Sequence, residues 1–170
     1  MQNPSVGTHQ KREEIMSIER VRAYLKQFGI EERIQEFSVS SATVELAAAA
    51  LGCAPERIAK TLSFLADGQA VLICAAGDAK IDNAKYKAQF HTKAKMIAPA
   101  EVEGIVGHAV GGVCPFAVKE GTKVYLDVSL KRFETVFPAC GSANSAICLT
   151  IPELEKYSGY AGWVDVCKET

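Results

Sequence analysis

Apolar positions recur at helical spacing from Ser17 to Phe28, where Ile18, Val21, Leu25 and Phe28 share one face, and Gly29 follows the last turn. Ser17 stands where a capping hydroxyl belongs. From Arg33 to Ser38 the pattern shortens, with Ile34 and Phe37 slightly out of phase, and predicts a short strand. A second helix is predicted from Thr43 to Leu51: Ser41 or Thr43 caps it, four consecutive alanines favour it, and Gly52 stops it. Pro55 then opens a short helix through Ile58, which delivers Lys60 to the entrance of a strand.

Thr61 to Ala66 and Gln69 to Ala76 flank Asp67-Gly68, the strongest short-range hairpin signal in the chain. Both are nearly continuous apolar runs, which predicts central strands covered on both faces. Asp82 caps a third helix, Asn83 to Phe90; Lys93 to Ile97 reads as a short strand; Pro99 starts a fourth helix that Gly107 ends after Val106. Beyond the glycine-rich run of residues 108–115, strands are predicted over Lys123 to Asp127, Thr135 to Cys140, Ser145 to Thr150 and Trp163 to Cys167. A turn spans Ser129 to Phe133, and a last helix runs from Pro152 to Tyr157. Strand pairs joined both by hairpins and across helices indicate a mixed α/β domain with a curved sheet.

Composition adds limits. With 170 residues, 48% hydrophobic, 23% charged and a net charge of −1, the chain reads as one globular domain with no global field for nucleic acid, so any RNA contact must be local. No apolar run approaches the roughly 20 residues of a membrane span, and the first 15 residues lack the apolar centre of a signal peptide, which predicts a cytoplasmic protein. Residues 1–15 read as a mobile N-terminal extension, with Met16 an alternative start, and residues 16–170 as the domain. The six cysteines form no Cys-x-x-Cys pair and lie mostly in apolar segments, as small core residues of a reduced protein do.

Candidate chemistry concentrates around Gly111-Gly112-Val113-Cys114-Pro115-Phe116. Adjacent glycines let backbone N–H groups approach a ligand with no Cβ between, and Pro115 stiffens the exit; the same run also suits a tight connection with no ligand. Gly141-Ser142 offers a second such place. Lys60 reads either as a lysine whose ammonium reaches solvent, or as a fixed charge at a pocket rim, suited to a phosphate or carbonyl oxygen. Gly111, Gly112 and Gly141 could supply N–H donors to a developing oxyanion or orient a water. Cys114 with His108 invites a thiol-hydrolase reading that lacks a third member. Asp78, Asp82 and Asp127 stand where turns or caps want aspartate, and neither metal nor cofactor is expected. His91 fits a surface helix end.

These residues carry a resemblance. Leu51-Gly52 with Glu56-Arg57, Lys60-Thr61-Leu62, the hairpin, Gly77-Asp78 with Asp82, the run Gly111 to Phe116 and Gly141-Ser142 resemble, in that order, the YbaK/EbsC family. Its members are free-standing relatives of the editing domain inserted in bacterial prolyl-tRNA synthetase. The likeness spans about Ile18 to Val166. It implies a single mixed α/β domain with a curved, barrel-like, largely antiparallel sheet flanked by helices. It also implies hydrolysis of the ester joining a wrong, small amino acid to a transfer RNA, with tRNA-Pro a candidate carrier and a synthetase a candidate partner. On that likeness Lys60 holds the 3′-terminal nucleotide, and Gly111 and Gly112 place carbonyl and water. Thr43, Cys114, Pro115, Phe116, Gly141 and Ser142 bound the substrate. The family is thought to use a bound water or a group of the substrate rather than a protein nucleophile. Cysteinyl-specific members commonly have serine where this chain has Cys114, an aromatic residue at Thr43 and an aspartate at Ala146, so the departures point away from cysteine. A non-catalytic module that binds the acceptor end or a small ligand is the alternative from another class.

Overall fold

The computed structural model describes residues 17–169; the expectations for residues 1–15 and Met16 lie outside the described residues. Helix α1 occupies residues 17–26 and buries Val21 and Leu25 completely. Ser17 does not serve as its cap: the side chain is buried and its hydroxyl faces His108. The strand predicted over residues 33–38 shrinks to β1 (Gln35–Glu36), exposed along its length. Helix α2 (Val44–Leu51) starts at Thr43, whose Oγ1 accepts the Leu46 N–H at 3.1 Å, and ends at Gly52. A 3₁₀ turn (Pro55–Arg57) feeds β2 (Ile58–Ala66), so Lys60 is its third residue.

Strands β2 and β3 (Gln69–Ala76) form the predicted hairpin; Asp67 and Gly68 both have positive φ, as a type I′ turn demands. Helix α3 (Asn83–Phe90) begins at Asp82, whose carboxylate accepts the Lys85 N–H, and α4 (Pro99–Val106) begins at its proline. Residues 93–97 do not form the predicted strand. They run extended beside β2 through a single bridge, Phe64 to Met96, and two backbone bonds, Leu65 N–H to Lys95 O and Ile97 N–H to Ser63 O. There follow β4 (Lys123–Asp127), a 3₁₀ turn (Val128–Arg132), β5 (Thr135–Pro138), β6 (Ser145–Ala146), β7 (Leu149–Thr150), α5 (Ile151–Ser158) and β8 (Gly162–Val164). The long strand predicted over residues 145–150 is two short ones, and a capping box between Thr150 and Glu153 starts α5 directly after the second.

The main sheet is ordered β7-β5-β2-β3-β4-β8, with β2 and β3 at its centre, and it curls into a half-barrel. The mixed α/β class holds, but the sheet is not largely antiparallel. Only β2–β3 and β5–β7 run antiparallel, whereas β2–β5, β3–β4 and β4–β8 are parallel because helices and long loops carry the crossovers. Both faces of β3 are covered. Val71 and Ile73 join the larger core with Val21, Leu25 and Phe116, while Ala70 and Leu72 pack with Val102 and Val106 of α4. Among the described residues no helix is long and apolar enough to cross a membrane.

Candidate active site

A cleft of about 300 Å³ opens where the loop before α2, the first half of β2, residues 96–99 and the glycine loop meet. Its walls are mostly small or apolar, Ala42, Ala47, Ile58, Val102 and Ala146 among them, and Lys60 is the one ionisable side chain on them among the described residues. Lys60 is half-buried. Its ammonium donates to the Gly77 carbonyl at 3.3 Å and to the Ala79 carbonyl. An ammonium has three N–H groups, so one remains for a ligand. Burial lowers the Lys60 pKa, opposed by Cys167 and the Asp78 carboxylate and reinforced by Lys80.

The acceptors of Lys60 are fixed by close packing. A Cβ on Gly77 would lie 2.0 Å from the Pro55 carbonyl oxygen, so the turn after β3 sits directly on the 3₁₀ turn, and its N–H donates to Glu56 O at 3.3 Å. Asp78 pairs with Arg132 through both guanidinium nitrogens; Asp82 caps α3; Asp127, fully buried, accepts the Ser129 and Val166 N–H groups. Asp82 and Asp127 therefore do the cap and turn work read from their positions, whereas Asp78 forms an ion pair.

Of the predicted site residues, Lys60, Thr43 and Gly111 meet on the cleft. The others stand behind it. Gly111 has φ +91° and lies between Ala42 and Ala143, with no hydrogen bond to its N–H from the described residues. The Gly112 N–H is committed to Ala109 O at 3.0 Å, and its α-carbon packs on the Gly141–Ser142 backbone, so it shapes the loop and does not face the cleft. Cys114, Pro115, Phe116, Gly141 and Ser142 are buried and absent from the walls. Ser142 Oγ lies 2.7 Å from Ser145 Oγ and 2.9 Å from Asn144 Oδ1, and Asn144 Nδ2 donates to Phe37 O, which ties β1 to this loop. Ser41 was legible only as a cap candidate. Ser41 lines the cleft, and its Oγ is buried with no hydrogen-bond partner among the described residues.

The thiol-hydrolase reading does not survive this geometry. Cys114 is fully buried, with Sγ 3.5 Å from His108 Nε2, and burial pushes its thiol far above the ordinary range. His108 is equally buried, with Nε2 2.6 Å from Phe116 O and Nδ1 2.5 Å from Ser17 Oγ. A carbonyl only accepts, so Nε2 carries the proton and Nδ1 accepts from the serine hydroxyl. This neutral imidazole ties the end of the glycine loop to α1, and burial lowers its pKa to about 4 despite the bond to Phe116. Between that value and the ordinary 6.5 the unfolded chain binds a proton that the folded one refuses, so stability is complete above pH 6.5 and falls as pH drops toward 4. The loss should approach about 3 kcal/mol at most. Denaturant titrations at pH 7 and pH 4.5 should show a smaller pH dependence for His108→Gln than for wild type; equal dependence would mean that the imidazole is not held neutral.

A half-barrel α/β fold with a lysine-floored cleft and a glycine loop defines the class of the YbaK-like editing domains. The chain belongs to the aminoacyl-tRNA editing domain family, whose pattern matches residues 39–157. A protein of Bacillus subtilis, YwhH, itself described as uncharacterized, is 55% identical over 155 residues, covering 91% of this chain and 99% of its own. A proline–tRNA ligase of Nitratidesulfovibrio vulgaris is 32% identical over 90 residues, covering 52% of this chain; the chain spans only 16% of that ligase. Among solved structures, a chain described as a candidate trans-editing enzyme for prolyl-tRNA synthetase has a TM-score of 0.80 at 27% identity, covering 90% of this chain and 98% of that one.

Proposed function

We propose that this chain is an aminoacyl-tRNA deacylase acting in trans in the cytoplasm, which hydrolyses the ester between a small, wrong amino acid and a transfer RNA. The observation that carries the reading is Lys60, the single ammonium among the described residues of an otherwise uncharged cleft of small side chains, with one N–H to spare. That N–H holds a phosphate or ribose oxygen of the terminal nucleotide as a point charge. The free Gly111 N–H faces the ester carbonyl and strengthens its bond as the oxygen becomes an oxyanion. Water adds to the carbonyl carbon, the tetrahedral intermediate collapses, and the bond to the ribose oxygen breaks. The water's proton passes to that oxygen, which leaves as a hydroxyl. Among the described residues no carboxylate or imidazole lines the cleft, and the base in this reading is a substrate group or a second water.

The proline–tRNA ligase and the trans-editing candidate support tRNA-Pro as the carrier and a synthetase as a partner. Thr43 and Gly111 border the space left for the amino acid. A cleft with no base among its described residues would equally suit a non-catalytic module for the acceptor end or a small ligand. Transfer RNAs charged with alanine, serine, cysteine, threonine and proline, incubated with the protein, separate the two. Wild type should release one or two small esters and leave prolyl-tRNA-Pro intact. No release across the panel by folded protein would leave only the binding module.

A further inference from the structure

Residues 80–95 contain five lysines (Lys80, Lys85, Lys87, Lys93 and Lys95) and one carboxylate, Asp82, which is committed to capping α3. This is a local charge of +4 in a chain of net −1. Lys85 is held by Asp165 at 3.1 Å and lies 3.8 Å from Glu169. Lys80, Lys87, Lys93 and Lys95 are exposed, and no carboxylate of the described residues stands within 4.0 Å of them. Four uncompensated cations on one short stretch repel one another, a cost with no return inside this chain.

The fold ties one end of this stretch to the Lys60 ammonium and the other to the cleft wall. At one end Lys80 follows Ala79, whose carbonyl takes the Lys60 ammonium, and it stands near enough to disfavour the Lys60 charge. At the other, Lys95 precedes Met96, a cleft-lining residue that is 58% exposed. Between them Tyr86 and Phe90 fasten α3 to the sheet, their rings stacked in series between Phe64 and Tyr125. Residues 93–97 are then pinned along β2 by two backbone bonds. The lysines are thus carried on a packed support that begins beside the Lys60 ammonium and ends at the cleft wall.

From this arrangement we infer that residues 80–95 form a docking ridge for the phosphates of the acceptor stem, leading its end into the cleft. The inference rests on the proposed reading of the cleft for the direction in which the RNA runs, but not for the binding itself. A polyanion with charges repeated along its length fits a row of exposed lysines held at fixed places, and phosphate contacts position a nucleic acid without reading its sequence. A local ridge also reconciles RNA binding with a slightly acidic chain.

The test uses the full chain, an uncharged RNA minihelix ending in CCA, the same minihelix carrying an ester that wild type cleaves, and the aminoacylated CCA trinucleotide without a stem. Wild type should bind the uncharged minihelix with an affinity that falls as salt rises. The triple variant Lys87→Gln/Lys93→Gln/Lys95→Gln should lose about three units of that log–log salt slope. Its KM for the charged minihelix should rise at least tenfold with kcat unchanged, and trinucleotide hydrolysis should stay at the wild-type rate. An unchanged slope and KM in the folded variant would overturn the ridge, as would a ridge that binds an acidic protein but not the minihelix. If wild type hydrolyses no ester, the deacylase reading fails, and the salt slope with uncharged RNA still decides the ridge.

Discussion

Lys60→Met is expected to remove at least 99% of deacylation while leaving the melting temperature within a few degrees of wild type. The two halves have separate origins. The lost ammonium is the only charge on the cleft among the described residues, and truncating one partner of a hydrogen-bonded charge pair at a binding site typically costs about 2–5 kcal/mol, of which about 2.7 kcal/mol is already 100-fold. On the stability side, burial depresses the Lys60 pKa, so the folded state disfavours the protonated form relative to the unfolded chain. A lysine with a depressed folded pKa costs stability at every pH where it is charged, and the cost fades only as pH rises through the folded and then the unfolded value. Methionine of similar length removes that cost but also forfeits the bonds to Gly77 and Ala79 carbonyls, which offsets it. Thermal unfolding alongside the deacylation panel checks both halves. Full activity in a folded Lys60→Met protein would remove the anchoring role; a collapse in melting temperature would make Lys60 a structural residue.

That opposition between function and stability was partly visible in the chain itself. A lysine at the start of an apolar strand breaks the local hydrophobic rule, and such violations concentrate where a site is built. The hairpin, α2, α3 and α4 were equally legible, because Asp67-Gly68, Thr43 with Gly52, Asp82 and Pro99 each impose a local geometry. What local signals could not fix was which side of the glycine loop faces the cleft. Gly111 and Gly112 are equivalent as sequence, yet one lies open beside Ala42 and Ala143 while the other is pressed onto Gly141. Cys114, Pro115 and Phe116 follow the same logic: they share the loop's sequence but sit on its core side, where Phe116 joins Val21 and Leu25. The parallel pairing of β5 with β2 was hidden for another reason. It joins Ile58 to Phe137 across 79 residues, and no turn chemistry announces so distant a partner. Ser41 escaped notice because a serine before a helix reads first as a cap.

The second large effect is expected at Gly112. A Cβ built there lies 2.5 Å from the Gly141 carbonyl carbon, 2.6 Å from its oxygen and 2.6 Å from the Ser142 nitrogen, all main-chain atoms that no rotamer change can clear. Gly112→Ala must therefore push the 108–116 loop and the 141–145 loop apart by most of an ångström. Inserting one methyl into so close a contact typically costs about 1–3 kcal/mol, or roughly 3–12 °C in a domain of this size. Gly111, one residue away, moves with the loop, and a displacement of this order at a site that orients a carbonyl can lower kcat/KM about 100-fold. Gly104→Ala is the matched control, because a Cβ there meets nothing within 4 Å and the position is inside α4. It should keep full activity and gain about 0.5–1 kcal/mol, the usual advantage of alanine over glycine within a helix. Melting curves and deacylation rates for the two variants side by side decide the matter. If Gly112→Ala melts and turns over like wild type, the two loops are not in main-chain contact and the cleft does not depend on their packing. If it loses activity and stability while Gly104→Ala loses neither, the second glycine of the pair acts by closeness of packing, and the first presents its N–H to the substrate because the second holds it there.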